Sequence, residues 1–288
     1  MTTMSDVARL AGVSRSTVSY TLSGIRPISD EVRDRVHAAM RDLDYSPNAL
    51  ARGLASRRSG IIAMLYPLLE RGISLSGRDH IWAAAEEARS AGYNMVLWTT
   101  AVDDIDGLGE LVQQGLVEGV ILMEVRHNDP RVAFLSDAGI PFSEIGRSCI
   151  EGVAPFVDTD FDQTAFDALA YLDELGHETV VFVNHPRSTI DSGYGLAVNF
   201  QAAMETAAQT LGIELLSIAC DTQFRAGYDA FSELAAARPG ISAIVSTNER
   251  ALVGVMEAVR RLGLDVPRDL SVVAMLSSAE TAESAIPA

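Results

Sequence analysis

The chain has 288 residues, of which 48% are hydrophobic and 21% charged, and its formal net charge is −17. This composition excludes a disordered or fibrous chain, and the length suggests about two folding units. No apolar run approaches the roughly 18 residues needed to cross a bilayer, and the opening MTTMSDVARL lacks the basic-then-apolar order of a secretory signal, so a cytoplasmic location is expected.

The charge is unevenly placed. Residues 1–60 hold nine arginines against six acids, a balance of +3, whereas the remainder holds 13 arginines against 33 acids, a balance of −20; the chain has no lysine. A basic head on an acidic body suggests that the head alone meets a polyanion. The head patterns as three helices. Ser5 is placed to cap the first, with Val7, Ala8, Leu10 and Ala11 as its apolar positions, Gly12 as its stop and Val13 packing back. Ser14 opens the second, with Val18 and Leu22 facing inward and Gly24 at its end. Two short helices joined by a tight Gly-containing turn form a helix-turn-helix, whose second helix enters the major groove. Its outward positions are Arg15, Ser16, Ser19 and Tyr20. Small hydroxyl residues let the backbone approach DNA closely, and an arginine can read guanine with two hydrogen bonds. Ser29 caps the third helix, with Val32, Val36, Ala39, Met40 and Leu43 inward. A plain three-helix domain that binds no nucleic acid fits the same spacing.

Residues 4–60, MSDVARLAGVSRSTVSYTLSGIRPISDEVRDRVHAAMRDLDYSPNALARGLASRRSG, resemble the headpiece of the LacI/GalR (lactose-repressor) family through DVA, AGVS, TVS, a serine-capped third helix, Y-x-PN and A-x-x-L. The resemblance implies that Ser14 and Thr17 contact phosphates while Arg15, Ser16 and Tyr20 face the bases, with Ser19 also on the DNA-binding face. Tyr20 departs from the arginine common in the family. A phenol cannot form the two-donor fork to guanine, so an altered operator is expected at that position. PNALARGLASRRSG answers to the family's hinge, with Asn48, Ala51, Leu54 and Arg57 as its DNA contacts. So short a helix is unstable alone in water. In the family two such helices pair in the minor groove, where Leu54 would wedge into a base step while Arg52, Arg57 and Arg58 lie near phosphates. That geometry implies a homodimer on a near-palindromic double-stranded operator.

From Gly60 onward, apolar strand-like runs (GIIAMLY, YNMVLW, EGVILME, GIPFSEI, TVVFVN, IELLSIA, ISAIVST, LSVVAML) alternate with helical stretches. The helical stretches are 76–91, 106–116, 129–138, 161–175, 195–211, 224–237 and 247–262. This is an α/β pattern, doubly wound around parallel sheets. APFVDTD stands midway as a crossover into a second lobe, and two such lobes leave a cleft at the carboxyl ends of their strands. The pattern is similar to the family's effector domain, which itself resembles periplasmic sugar-binding proteins. The expected organisation is a helix-turn-helix domain over 1–46, a hinge over 47–59 and an effector-binding and dimerisation domain over 60–288. The last divides into lobes of about 60–157 and 158–288. The resemblance implies that the second lobe is incomplete, because members continue for several tens of residues beyond the strand LSVVAML. It implies effector contacts at Arg147, Asp160, Tyr194, Phe224, Asn248 and Glu249. Two departures count against a typical monosaccharide effector: no arginine stands near Tyr194–Leu196, and no aspartate follows SVVAML. Asp158 and Asp160 read equally well as loop acids or helix caps.

Nothing points to catalysis. GYGLAVN has no third glycine at dinucleotide-binding spacing, and neither a phosphate-binding P-loop nor a Gly-x-Ser-x-Gly elbow occurs. His37, His80, His127, His177 and His185 show no metal-ligand spacing, and His177 after Gly176 reads as a helix-end residue. Cys149 and Cys220 read as two buried, reduced thiols. The expectation is a DNA-binding regulator, not an enzyme, without cofactor or metal, controlled by a sugar or related metabolite. The alternatives are a body that only dimerises and has lost effector response, and a receptor with a vestigial headpiece.

Overall fold

The computed structural model describes residues 2–23, 26–45, 59–67, 73–150 and 152–275. The chain divides into two compact units, Met1–Ile61 with Gln114–Glu118, and Ile62–Gln113 with Gly119–Ala288. The expected hinge contacts Asn48, Ala51, Leu54 and Arg57 lie outside the described residues, as do Arg52, Arg58 and Gly24.

In the first unit, three helices surround a small core: α1 (Met4–Ala11), α2 (Arg15–Ser23) and α3 (Asp30–Asp42). Val7, Ala8, Ala11, Val18, Val36 and Ala39 are buried, with Val13, Leu22, Met40 and Leu43 packed around them. Three details differ from the sequence expectation. The cap of α1 is Thr3, not Ser5, because Thr3 and Asp6 form a reciprocal capping box. Leu10 lies on the outer face of α1 and is 53% exposed. Ser29 occupies the cap position of α3 but makes no side-chain capping bond. Gly12 ends α1 in the left-handed region (φ 66°), which a residue without Cβ adopts freely. Within the same unit, Glu118 accepts a hydrogen bond from the Gly60 amide at 2.7 Å, and its own amide donates to the Ile61 carbonyl at 2.8 Å.

The second unit holds two sheets. The first comprises β1 (Ile61–Leu65), β2 (Asn94–Trp98), β3 (Gly119–Leu122), β4 (Phe142–Ile145) and β5 (Phe156–Val157), in the order β2-β1-β3-β4-β5. Pairings of β1 with β3, β3 with β4 and β4 with β5 are parallel. Its helices are α4 (Leu75–Ser90), α5 (Ile105–Gln113) and α6 (Pro130–Asp137). The second comprises β6 (Thr179–Asn184), β7 (Glu214–Ala219), β8 (Ala243–Ser246) and β9 (Ser271–Ala274), in the order β7-β6-β8-β9, and all its pairings are parallel. Its helices are α7 (Phe161–Glu174), α8 (Arg187–Asp191), α9 (Gly195–Leu211), α10 (Phe224–Ala237) and α11 (Glu249–Arg261). The centre of TVVFVN, Val180–Val183, is apolar throughout because β6 is covered on both faces. Val180 and Phe182 face α7 and α9, meeting Leu169, Leu172, Phe200 and Met204, while Val181 and Val183 face α10 and α11, meeting Phe231, Leu252 and Val255. Each such fully buried aliphatic or aromatic side chain contributes about 1.5–3 kcal/mol.

The short helix α8 has no counterpart in the predicted series, since five residues are too few for a periodic signal. The strand expected over GIPFSEI begins only at Phe142, after Pro141. The crossover segment APFVDTD supplies β5, the edge strand of the first sheet, before α7 opens the second lobe. Cys220 is buried, and burial pushes its thiol up to about 11. Cys149 corrects the expectation of two buried thiols: it is exposed, in the loop that follows β4. His177 is not a solvated helix end, for its ring nitrogens each lie 2.8 Å from a serine hydroxyl, Ser242 before β8 and Ser271 at the start of β9.

The α10–α11 pair sits unusually close. A Cβ on Gly254 would land on the Phe224 carbonyl oxygen, and one on Gly227 would land on that of Ala251. Backbone atoms cannot move aside cheaply, so we expect Gly254→Ala and Gly227→Ala each to destabilise the body by about 1–3 kcal/mol. Urea denaturation of the purified variants measures this, and an unchanged midpoint would contradict it.

Candidate functional sites: a helix-turn-helix face and an interlobe cleft

In the first unit, Ser14 caps α2, its Oγ accepting from the Thr17 amide at 3.0 Å and lying 2.9 Å from Thr17 Oγ1. Arg15 and Ser16 are exposed in the first turn, whereas Ser19 and Tyr20 are half-buried. No acid stands in that first turn, so its amide groups and dipole favour an anion such as phosphate. Arg9 and Arg33 are paired with Asp6 and Asp30, whereas Arg15 has no ion pair among the described residues. Arg26 places its guanidinium 5.1 Å from the Tyr20 ring centroid, so a cation stands beside the phenol that replaces the family's arginine. Of the ten expected DNA contacts, the structure thus places six together on α2 and its cap.

The second site is a cavity of about 290 Å³ at the carboxyl ends of both sheets. In a 2-1-3-4 strand order, the crevice falls where the order reverses, beside β1 and β3. There stand Tyr66 after β1 and Met123, Glu124 and Val125 after β3. The equivalent reversal in the second sheet lies beside β6 and β8, and supplies His185, Thr247 and Glu249. Arg147 follows β4, Asp158 follows β5, and Tyr194 caps α9. Ser74, Ser76, Gly77 and His80 line it from the start of α4.

Three of the six expected effector contacts, Arg147, Tyr194 and Glu249, line this cavity; the other three do not. Asp160 is exposed and caps α7, its carboxylate accepting from the Gln163 amide at 3.1 Å; Asp158, two residues earlier, takes the place in the wall. Phe224, the first residue of α10, is 49% exposed and points elsewhere. Asn248 is fully buried behind the wall, where its side-chain amide donates to the carbonyls of Asn184 (3.2 Å) and Cys220 (3.1 Å) and accepts from the Ala251 amide (3.3 Å). It positions Glu249 rather than meeting a ligand.

The group that the sequence reading passed over is Glu124. It adopts φ 53°, a left-handed conformation uncommon outside glycine, asparagine and aspartate. Burial holds its carboxyl above the usual carboxylate range, while hydrogen bonds from Tyr194 and Tyr66 and the charge of Arg131 act the other way. Tyr194 is pushed well above an ordinary phenol by burial and by the adjoining Glu124, and Tyr66 is raised by the same two causes. Asp158 is also raised by burial, partly offset by the Thr159 amide and Arg147. Behind Glu124, Asp129 and Arg131 form a fully buried pair (2.7 Å), and Arg131 donates to the Met123 carbonyl at 3.0 Å. The usable signal for Glu124 was its place just after the third strand, at the reversal of strand order. The cleft as a whole offers hydroxyls, carboxylates, an arginine and aromatic edges. This equipment suits a small hydroxyl-rich molecule. Among the described residues, no group of three His, Cys, Asp or Glu side chains is arranged to hold a metal ion, and no helix is long and apolar enough to cross a membrane.

The class defined by these two sites is a helix-turn-helix protein joined to a two-lobed binding domain. Residues 3–48 match the bacterial regulatory proteins of the lacI family, and residues 169–288 match the periplasmic binding protein-like domain. The chain is 29% identical over 286 residues to the ribose operon repressor of Escherichia coli K12, covering 95% of this chain and 82% of that one. It is 27% identical over 281 residues to the HTH-type transcriptional regulator MalR of Streptococcus pneumoniae, covering 92% and 81%. The fold superposes on a lac repressor dimer bound to operator and the anti-inducer ONPF with TM-score 0.81 and 22% identity, covering 95% of this chain and 82% of that one. The chain thus carries a lacI-family regulatory domain over residues 3–48 and a periplasmic binding protein-like domain over 169–288.

Because Glu124 is more readily protonated when folded, its ionisation costs stability as pH rises from the ordinary value of 4.5 through its raised folded value. We therefore expect Glu124→Gln to raise the melting temperature at pH 7–8, with the gain vanishing below about pH 4. Thermal melts across this range check it; a variant less stable than the parent at pH 8 would contradict it.

Proposed function

We infer that the protein is a sequence-specific DNA-binding transcriptional repressor that acts as a homodimer and is controlled by a small hydroxylated effector in the interlobe cleft. The observation that carries this reading is the capped α2 helix, which presents Arg15, without an ion pair among the described residues, beside Ser16 in a segment that matches the lacI family. In this reading residues 1–46 read DNA, 47–59 form the hinge, with Leu54 as the minor-groove wedge, and 60–288 bind effector and dimerise. Ser14 and Thr17 meet phosphates, Arg15, Ser16 and Tyr20 face the bases, and Ser19 lies on the same DNA-binding face. The relatives support it: one is named as a repressor of a ribose operon, and the lac repressor structure holds both operator and a small molecule. Such a regulator is cytoplasmic and performs no catalysis.

The cleft also weighs against a body that only dimerises. The family arginine missing near Tyr194–Leu196 favours that second reading, yet Arg147 reaches the same cavity from β4. Gel shifts with fragments from upstream of the protein's own gene, repeated with sugars and nucleosides, separate the two. A retarded band moved by one of these ligands supports the effector reading; a band moved by none supports the dimeriser.

Binding through arginine–phosphate contacts releases counterions, so we expect affinity to fall at least tenfold between about 50 and 200 mM salt. Arg15→Ala should cost about 1–3 kcal/mol on the specific site and relax preference at one base pair. Fluorescence anisotropy titrations check both; a flat salt response, or an Arg15→Ala loss equal on specific and random DNA, would contradict them.

A further inference from the structure

Beside the main cavity, and divided from it by Glu124, Thr189 and Tyr194, lies a second cavity of about 210 Å³. Val102 and Arg126 line it from the first lobe, and Ser188 and Ser192 from the second. We propose that this cavity is a separate site for a small oxyanion, a phosphate or a short carboxylate, held by Arg126 on one side and by Ser188 and Thr189 on the other. The site does not depend on what the main cavity binds. An occupant bonded to both sides ties the two lobes together in this arrangement.

Arg126 carries the argument. Its backbone is fixed twice, by donating to Asp129 at 3.1 Å and by bridging to Tyr194. Its side chain is only 23% exposed, and Asp103 engages a single nitrogen of it, both carboxylate oxygens lying 3.0 Å from Nη1. Nε and Nη2 have no partner among the described residues. They share one edge of the guanidinium, and that edge grips an oxyanion through two parallel hydrogen bonds. The Ser188 and Thr189 hydroxyls also have no hydrogen-bond partner among the described residues. Ser192 is already spent as a donor, on the Thr189 carbonyl at 2.7 Å, and the Tyr194 hydroxyl is spent on Glu124. The cavity therefore offers donors in excess. A polyol would bring as many donors as acceptors, whereas an oxyanion brings acceptors together with a charge that suits Arg126. Two carboxylates stand nearby. Asp103 is 71% exposed, so water screens it. Glu124 accepts from the Tyr66 and Tyr194 hydroxyls, and burial holds its carboxyl above the usual carboxylate range, which lessens the charge it sets against an anion. The size limits the occupant. At about 210 Å³ the cavity falls below the roughly 300 Å³ at which sites for larger molecules begin, and the buried Val102 gives one side an apolar lining.

The test is isothermal titration of the full chain with phosphate, acetate, malonate and succinate, each against chloride at equal ionic strength. We expect at least one of these anions to bind with Kd below about 1 mM. Its affinity should fall about tenfold or more in Arg126→Gln and in Arg126→Lys, which keeps the charge but not the fork, and about threefold in Ser188→Ala. Arg147→Gln in the main cavity and Arg15→Ala in the head should leave it unchanged. Binding of phosphate alone assigns a tetrahedral anion to the site, and binding of acetate, malonate or succinate alone assigns a carboxylate. Melting temperatures within a few degrees of the parent confirm folding. Ser188 is exposed, so where neither Arg126 variant folds, Ser188→Ala decides, and an affinity unchanged there overturns the proposal. An affinity that survives the folded Arg126 variants overturns it too. So does one lost equally in Arg147→Gln or Arg15→Ala, which would place the anion in the main cavity or on α2, and so does the failure of every anion to bind. Each of these outcomes leaves the DNA-binding and effector readings intact.

Discussion

Where parallel strands end, their hydrogen-bond ladder stops, and the buried peptide groups there need other partners. The body depends on how that need is met. In the second lobe two fully buried amides answer it. Asn184, the last residue of β6, donates to the Ala197 carbonyl (3.0 Å) and to Gln201 (3.1 Å). Asn248, after β8, ties the ends of β6 and β7 together through Asn184 and Cys220. In the first lobe the buried Asp129–Arg131 pair does the same work for the segment after β3, Asp129 accepting from the Arg126 amide at 3.1 Å. Arg131 Nη1 is the one buried side-chain nitrogen or oxygen without a partner among the described residues, so that clamp is incompletely satisfied. An unpaired charge left by removing either partner would be costly. These groups give the cleft rigid walls at the place where the peptide ladder cannot.

The division of charge assigns a different physics to each unit. The head is small, and its core consists of six buried residues with a ring of half-buried ones. Its helix α2, RSTVSYTLS, is built mainly of small hydroxyl residues, which keep it slender. The body carries a large negative charge, so long-range repulsion keeps it off DNA while the head approaches. Arginine provides every positive side chain in the chain. It suits a surface that must fork onto phosphates and guanines and, on the body, pair with acids along helices, as Arg225 does with Asp229 and Arg187 with Asp191.

Much of this architecture was legible in the residues. Period-two and uniformly apolar runs located nearly every strand, because a sheet covered on both faces admits little else. The limits of α9 and α10 followed from the pattern directly. Caps were less legible, since Thr3 and Ser5 are both good N-caps and only the reciprocal bond with Asp6 decides between them. The cleft was half legible. Arg147, Tyr194 and Glu249 lie beside motifs, whereas Asp160 and Asp158 are the same residue type two positions apart, and only backbone direction sends one into solvent and the other into the wall. Glu124 carried no motif at all. Its significance comes from its left-handed backbone and from two tyrosines distant in sequence, which no local pattern encodes.

Two contacts join the lobes on one side of the cavity. Glu249 accepts from the Ser76 amide (3.3 Å) and hydroxyl (3.2 Å), and Arg250 donates to the Ile73 carbonyl at 3.0 Å. Hydrogen bonds to charged groups are worth about 1.5–3 kcal/mol each when well formed. Glu249 also borders the space a ligand would fill. Both Ser76 bonds fall on its Oε2, so one side chain belongs at once to the lobe contact and to the cavity wall. A molecule that drew Glu249 away from Ser76 would weaken that contact, and by linkage a weaker contact would favour that molecule by the same factor.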